Sequence, residues 1–284
     1  MSAPKQPTDF RAALIAAYNE APCQVLPNAL WKTLAQLATL HTDFEIEAAT
    51  VLRLQAWNAN LLLLHWTRDR QQLPVLTQFP ATLSTVLLHQ DYLRAVPLAR
   101  FSTRTRYFRL LHRHTAPRTP EPAPPGFSLR EVQIEEETAA VAAFIGKCYE
   151  DLHPTAAEVA SWTTQPDFAP DLWLWMVDNA TGAPVGLGIA GLDNAAQDGA
   201  TPEGSLEWIQ VLPEARGRRI GRSIVLELLT RLEPRARLTT VSGQSDNAAH
   251  PEILYRSCGF TGDDSWWVLQ RHQGKELNHG IASG

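Results

Sequence analysis

The sequence predicts an α/β fold, an α+β mixed sheet in the C-terminal half with an N-terminal α/β accessory region before it. Three observations predict it. First, Ala116–Gly126 has proline at five of its eleven positions, too few N–H donors for a helix or central strand, so it is an extended linker. Second, the charge changes sign across that linker. Residues 1–126 carry 13 Lys+Arg and 8 Asp+Glu (net +5), and residues 127–284 carry 12 and 22 (net −10). Third, beyond the linker the hydrophobic pattern switches repeatedly between strand and helix periods. The expected organisation is residues 1–115, a linker at 116–126, and a second domain at 127–284.

In the first region Thr8–Tyr18 and Asn28–Leu40 have amphipathic helical spacing, the second through Leu30, Leu34 and Leu37. Leu61–Trp66 and Tyr107–Leu111 are expected strands. No internal repeat is visible by eye, and whether this region is a diverged copy of the second stays open. After the linker, Phe127–Val132 alternates like a strand and Glu135–Tyr149 has helical spacing, while Thr155 and Glu158 form a capping box for a second helix. Leu172–Val177 and Pro184–Leu192 flank the turn Asn179–Gly182, and Ser205–Val211 is the next strand. A turn at Pro213–Gly217 leads into a helix ending near Leu232. Leu238–Ser242, Pro251–Cys258 and Ser265–Leu269 complete the order β-α-α-β-β-β-α-β-α-β.

Composition bounds the function. The chain has 284 residues, 44% hydrophobic and 19% charged, which excludes a mostly disordered chain or a disulfide-stapled miniprotein. The apolar run Leu61–Leu64 is far short of the ~20 residues of a membrane span. The N-terminus lacks the apolar core of a signal peptide, and Cys23, Cys148 and Cys258 are odd in number and far apart. Together these predict a cytoplasmic protein. A net charge of −5 argues against a coat for nucleic acid. The seven arginines between Arg94 and Arg118 read as the solvated face of a strand before they read as an RNA-binding surface. The histidines lack metal-ligand spacing, so no metal is expected.

The most informative segment is Val211–Ile224. A strand ends, Pro213 turns the chain, and a helix starts near Gly217 with Arg216, Arg218, Arg219 and Arg222 around it. Free N–H groups and the positive end of the helix dipole make such a start an anion site. No Gly-Lys-Ser/Thr follows, and the G-x-G-x-x-G spacing is absent, so neither a P-loop nor a dinucleotide fingerprint fits. Arg216-Gly217-Arg218-Arg219-Ile220-Gly221, preceded by Val211-Leu212-Pro213, resembles the acyl-CoA signature of the GCN5-related N-acetyltransferase (GNAT) superfamily. The likeness covers about residues 127–272. One departure is plain, because Arg219 stands where the signature has its first glycine.

The resemblance implies a GNAT acyl-CoA N-acyltransferase fold for the second domain and an N-acetyltransferase that moves an acetyl group from acetyl-CoA to a primary amine. Transfer is by direct attack in a ternary complex, with no metal. It further implies that Arg216, Gly217, Arg218, Arg219, Ile220, Gly221 and Arg222 hold the pyrophosphate, and that backbone groups at Gln210 and Val211 polarise the thioester. Asn247 would contact the pantetheine arm, and Tyr255 would protonate the leaving thiolate. Asn247 and Tyr255 are eight residues apart where the family has seven, with His250-Pro251 between. Glu207 is the candidate base. Strand alternation puts it on one face with Ile209 and Val211, opposite Trp208 and Gln210. The alternatives are a structural carboxylate for Glu207 and a half-buried core tyrosine for Tyr255. Glu150 and Asp151 would give the acceptor cleft an acidic patch suited to a cationic amine or lysine. Trp173, Trp175, Trp266 and Trp267 either wall that cleft or belong to the core. The rival to an enzyme is a non-catalytic acyl-CoA-binding or interaction protein that retained the fold; a homodimer is left open.

Overall fold

The computed structural model describes residues 7–74, 80, 82–115, 120–149, 152–193 and 200–271. In chain order the first region supplies helices α1 (Phe10–Glu20), α2 (Pro22–Val25) and α3 (Leu30–Gln36), then strands β1 (His41–Glu47), β2 (Thr50–Trp57), β3 (Leu61–Thr67), β4 (Thr85–His89) and β5 (Thr103–Arg113). The second supplies β6 (Phe127–Glu131), α4 (Ile134–Cys148), α5 (Ala156–Trp162), β7 (Trp173–Asp178), β8 (Pro184–Asp193), β9 (Glu203–Val211), α6 (Ile220–Leu232), β10 (Leu238–Gln244), α7 (Pro251–Ser257) and β11 (Thr261–Gln270). The second half follows the order of elements expected from its sequence. In the first half α1 begins at its cap, Asp9, whose Oδ1 accepts the Ala12 N–H at 2.8 Å.

All eleven strands form one mixed sheet, β1-β2-β3-β4-β11-β5-β10-β9-β8-β7-β6. The sheet therefore runs across the proline-rich linker, and the two halves exchange their last strands. β5 lies between β10 and β11, and β11 lies between β4 and β5. Outward from the central antiparallel β5–β11 pair the two sides follow the same sequence of pairings. β11 meets β4 antiparallel and β4 meets β3 parallel; on the other side β5 meets β10 antiparallel and β10 meets β9 parallel. Beyond β3 and β9 every pairing is antiparallel.

Strand alternation sorts the core of the second half into two layers. Leu174 and Met176 face α6, whose Ile220, Ile224 and Leu228 are buried there. Trp173 and Trp175 face α4 and α5, with Phe144 and Trp175 in edge contact at 5.1 Å. α6 rides close on β8 because Gly188 has no side chain, and a Cβ there would lie 2.2 Å from Ile224 Cγ2. Trp266 is 1% exposed and donates its indole N–H to the Cys23 carbonyl, and Trp267 packs against the core formed by β4 and Tyr92. Trp173, Trp175 and Trp266 are thus buried core, not cleft wall, and Trp267 is partly buried.

A buried polar network ties the halves together. The Glu203 carboxylate accepts Tyr18 Oη at 2.9 and 3.0 Å, the Leu30 N–H at 3.2 Å and the Thr240 hydroxyl. Arg109 Nη2 stands 3.5 Å from Glu203 and donates to Tyr18 Oη at 2.9 Å. Burial pushes the Glu203 carboxyl up, while Arg109 and these hydrogen bonds pull it back. Arg109 belongs to the arginine-rich stretch read from sequence as a solvated face; it is 2% exposed, and Arg106 is bonded to Ser265. Among the described residues no helix is long and apolar enough to cross a membrane, and none of Cys23, Cys148 and Cys258 is in a disulfide.

Candidate functional site

The site begins where two parallel strands part. β9 and β10 pair only from Glu203↔Leu238 to Leu206↔Val241, yet β9 continues to Val211 and β10 to Gln244. Past Leu206 the edge of β9 that faces β10 is left unpaired by β10, opening a wedge with unpaired backbone donors and acceptors. The break coincides with a bulge. Opposite β8, Trp208 pairs with Ile189 and Leu206 with Ala190, so Glu207 is the extra residue. The bulge changes the face expected for Glu207. Its Oε1 accepts the Ser205 hydroxyl at 2.7 Å, which puts Glu207 on the face of Ser205 and Trp208. Ile209 and Val211 pack on the opposite, α6-facing core. Strict alternation fails because one inserted residue resets the count.

Around Glu207 the structure assembles groups that the sequence did not single out. Lys32 of α3 sets its Nζ 2.5 Å from Glu207 Oε2, with the two side chains 18% and 12% exposed. Asp167, on the loop after α5, fits against β8 because Gly191 leaves room; a Cβ there would meet Asp167 Oδ2 at 2.1 Å. Burial, reinforced by Glu207, pushes Asp167 up to about 6, partly offset by Lys32. The aromatic wall is Trp162 stacked on Trp208 at 5.4 Å, with Tyr149 at the Trp208 edge. Nothing local in the sequence marks Lys32 or Asp167. They are 135 residues apart (167 − 32), and only the tertiary fold brings them to Glu207.

At the far end of β9 the chain turns through a short 3₁₀ helix, Pro213–Ala215, into α6. Gly217 has φ +78° with open space where a Cβ would stand, and Arg219 caps α6 at φ +63°, ψ 11°. The departure from the glycine signature thus falls on a left-handed position that costs a non-glycine residue roughly 1–2 kcal/mol. The first-turn N–H groups of Ile220, Gly221 and Arg222 start a 13-residue helix beside exposed Arg216, Arg218 and Arg219. An anionic group fits this cradle. Three arginines are partly committed. Arg218 stacks on Phe127 at 4.6 Å, and Arg222 donates to the Ser257 carbonyl at 2.5 Å and to Glu121 at 3.1 Å. Arg216 Nε donates to the Val211 carbonyl at 3.2 Å.

The remaining sequence candidates are distributed as follows. Gln210 donates its side-chain amide to Tyr149 Oη at 2.7 Å. Tyr255 is 1% exposed between Phe108 and Phe260. Burial pushes its hydroxyl well up, with Tyr149 and Cys258 adding to the effect. That hydroxyl makes no hydrogen bond among the described residues. Asn247 spends its Oδ1 on the Ala249 N–H at 2.9 Å, and His250 caps α7 at φ +47° before Pro251. Glu150 and Asp151 lie outside the described residues. Among the described residues no group of three or more His, Cys, Asp or Glu could hold a metal ion. A separate cleft of about 630 Å³, lined by Arg113, His114 and Arg237 among others, lies at the opposite end of β9 and β10, away from the wedge.

The profile of the acetyltransferase (GNAT) domain family matches residues 170–262, the span that holds the wedge, the α6 cradle and Tyr255. No curated protein matches the sequence. Among solved structures, a GCN5-related N-acetyltransferase from Sphaerobacter thermophilus superposes with a TM-score of 0.64 at 16% identity, over 97% of this chain and 99% of that one. A GNAT-family acetyltransferase from Colwellia psychrerythraea gives 0.58 at 11% identity, over 93% and 98%. A tandem GNAT protein from the clavulanic acid biosynthesis pathway gives 0.53 at 15% identity, over 96% and 99%. At these identities the likeness is one of fold, and it extends over nearly the whole chain.

Proposed function

We propose, from the premise that the C-terminal half carries a GNAT acetyltransferase domain, that the chain moves an acetyl group from acetyl-CoA to a primary amine by direct attack in a ternary complex. The observation that carries this reading is the wedge between β9 and β10, which opens at Glu207 and ends at the N-terminus of α6. In this reading the cradle from Arg216 to Arg222 takes the pyrophosphate, and backbone groups of β9 at Gln210 and Val211 hold the thioester and polarise its carbonyl. Glu207 receives the amine proton as nitrogen attacks. Tyr255, whose burial keeps it protonated, donates to the leaving thiolate. Asn247 has its amide nitrogen left for the pantetheine arm.

Glu207 and Asp167 make the acceptor side acidic, which suits a cationic amine, and Glu150 and Asp151 would extend that patch. The first half acts as a diverged copy that completes the sheet through β5; the tandem GNAT architecture of one similar structure supports this. A non-catalytic acyl-CoA binder is the second reading, favoured by one observation: Lys32 already pairs with the proposed base. Two measurements divide these readings. Acetyl-CoA at ~100 times its dissociation constant stabilises the fold by about 2.7 kcal/mol in either case, and the absence of any thermal shift would sink both. Thiol release across an amine panel, lost in Glu207→Gln, is expected of the enzyme alone.

A further inference from the structure

The pair that favours a silent binder has a second consequence. Lys32 is a primary amine, the chemical class that the proposed reaction consumes, and its Nζ lies 2.5 Å from the carboxylate proposed to take the acceptor's proton. It is delivered there by the first half. The Pro27 carbonyl accepts the Ser242 hydroxyl of β10 at 2.7 Å, and the Leu30 N–H donates to Glu203 of β9 at 3.2 Å. The segment from Pro27 to Lys32 is thus fastened to both strands, to β10 just past the parting and to β9 at the start of the paired stretch. Ser205 holds the other oxygen of Glu207 at 2.7 Å, so the carboxylate is fixed with one oxygen on the amine.

Resting on the acetyltransferase reading, we propose that Lys32 is an acceptor built into the chain, and that the site acetylates it. Glu207 takes a proton from the Lys32 ammonium, and the freed nitrogen pair attacks the thioester carbonyl. The C–N bond forms, the C–S bond breaks with its electrons on sulfur, and the thiolate takes up a proton. The products are one N-acetyl-lysine, one free CoA and one released proton. Acetylation also cancels the positive charge beside Glu207, so the carboxylate loses the cation that occupies it and faces an incoming amine unpaired.

The chain supplies its own controls, because its lysines are Lys5, Lys32, Lys147 and Lys275. The full-length protein is incubated with acetyl-CoA and no added amine, and each lysine is read by peptide mass. The expected result is acetylation of Lys32, approaching one group per chain, well ahead of Lys147, with one equivalent of thiol released. The rate is independent of protein concentration, as an intramolecular step requires. Lys32→Arg keeps a cation beside Glu207 and the fold's melting temperature but loses that single equivalent of thiol. Glu207→Gln abolishes the Lys32 modification and leaves slow chemical acetylation of Lys147 untouched. Acetylation of Lys32 no faster than that of Lys147, in protein that turns over an added amine, overturns the inference and leaves the enzyme reading intact. A Lys32 rate that scales with protein concentration overturns the intramolecular step. Absence of both a thermal shift with acetyl-CoA and thiol release with any amine removes the reading itself and the inference with it.

Discussion

The connections from β9 to β10 and from β3 to β4 do the same topological job with different chemistry. Each joins a strand to a parallel neighbour that then pairs with the exchanged strand of the other half. In the second half the crossover passes through α6, and the strands part after four paired residues, leaving β9 open toward β10 from Glu207 on. In the first half β3 and β4 pair only at Leu61↔Thr85 and Leu62↔Val86, and the described residues between them hold no helix. There the parting is filled with protein. Tyr92, fully buried, accepts the Thr67 N–H at 2.9 Å and hydrogen-bonds its carbonyl at 3.3 Å, satisfying the end of β3 from inside. His65 sits against Tyr92 with its Nδ1 on Gln55, and burial holds its pKa down to about 4, so it stays neutral. Two parallel strands that part are therefore a scaffold. What makes one parting a candidate site is the helix start that follows it.

The sharpest way to break this comparison is at the joint between the halves. Arg109→Met leaves Glu203 buried without its cation, and denaturant unfolding should report a loss of ~3–5 kcal/mol. Adding Glu203→Gln should recover part of that loss, since the penalty comes from the stranded charge. Tyr255→Phe keeps the packing between Phe108 and Phe260, so melting should change little. If Tyr255 is the donor to the thiolate, kcat should fall by about 10²-fold; an unchanged kcat would leave Tyr255 as core alone.

These expectations also mark what was legible in the sequence. The elements of the second half were readable because turn residues punctuate strongly periodic runs, and Gly217 and the arginines around it mark the cradle. The first half was less so. β1 and β2 are joined by Ala48-Ala49, both at positive φ (47° and 67°), where a hairpin usually has Asn-Gly, so the turn has no sequence signature. β4 is a five-residue run buried throughout, with no alternation to read. The exchange of β5 and β11, the bulge at Glu207 and the approach of Lys32 and Asp167 are long-range outcomes. No local pattern encodes them.

Asp167 sharpens the account through pH. Its folded pKa of about 6 lies above the ordinary aspartate value, so the folded chain holds that proton more tightly than the unfolded one. Its contribution to stability is then full below pH ~4 and is lost as pH rises toward 6. Asp167→Asn should raise the melting temperature at pH 7 relative to the parent, with the gain vanishing near pH 4; an equal gain at both pH values would mean burial of Asp167 is not the cause. The smallest effect is expected at Arg219→Gly, which removes the side chain from a left-handed cap. Stability should rise by at most about 1 kcal/mol, since added chain entropy offsets part of the relief.

On the proposed function, the parting of β9 and β10 binds acetyl-CoA and that of β3 and β4 does not. Calorimetric titration of the full-length chain with acetyl-CoA tests it directly. The account predicts one site per chain, lost in Gly217→Val while the fold still melts cooperatively. Two sites per chain, or one site that Gly217→Val leaves unchanged, would contradict it.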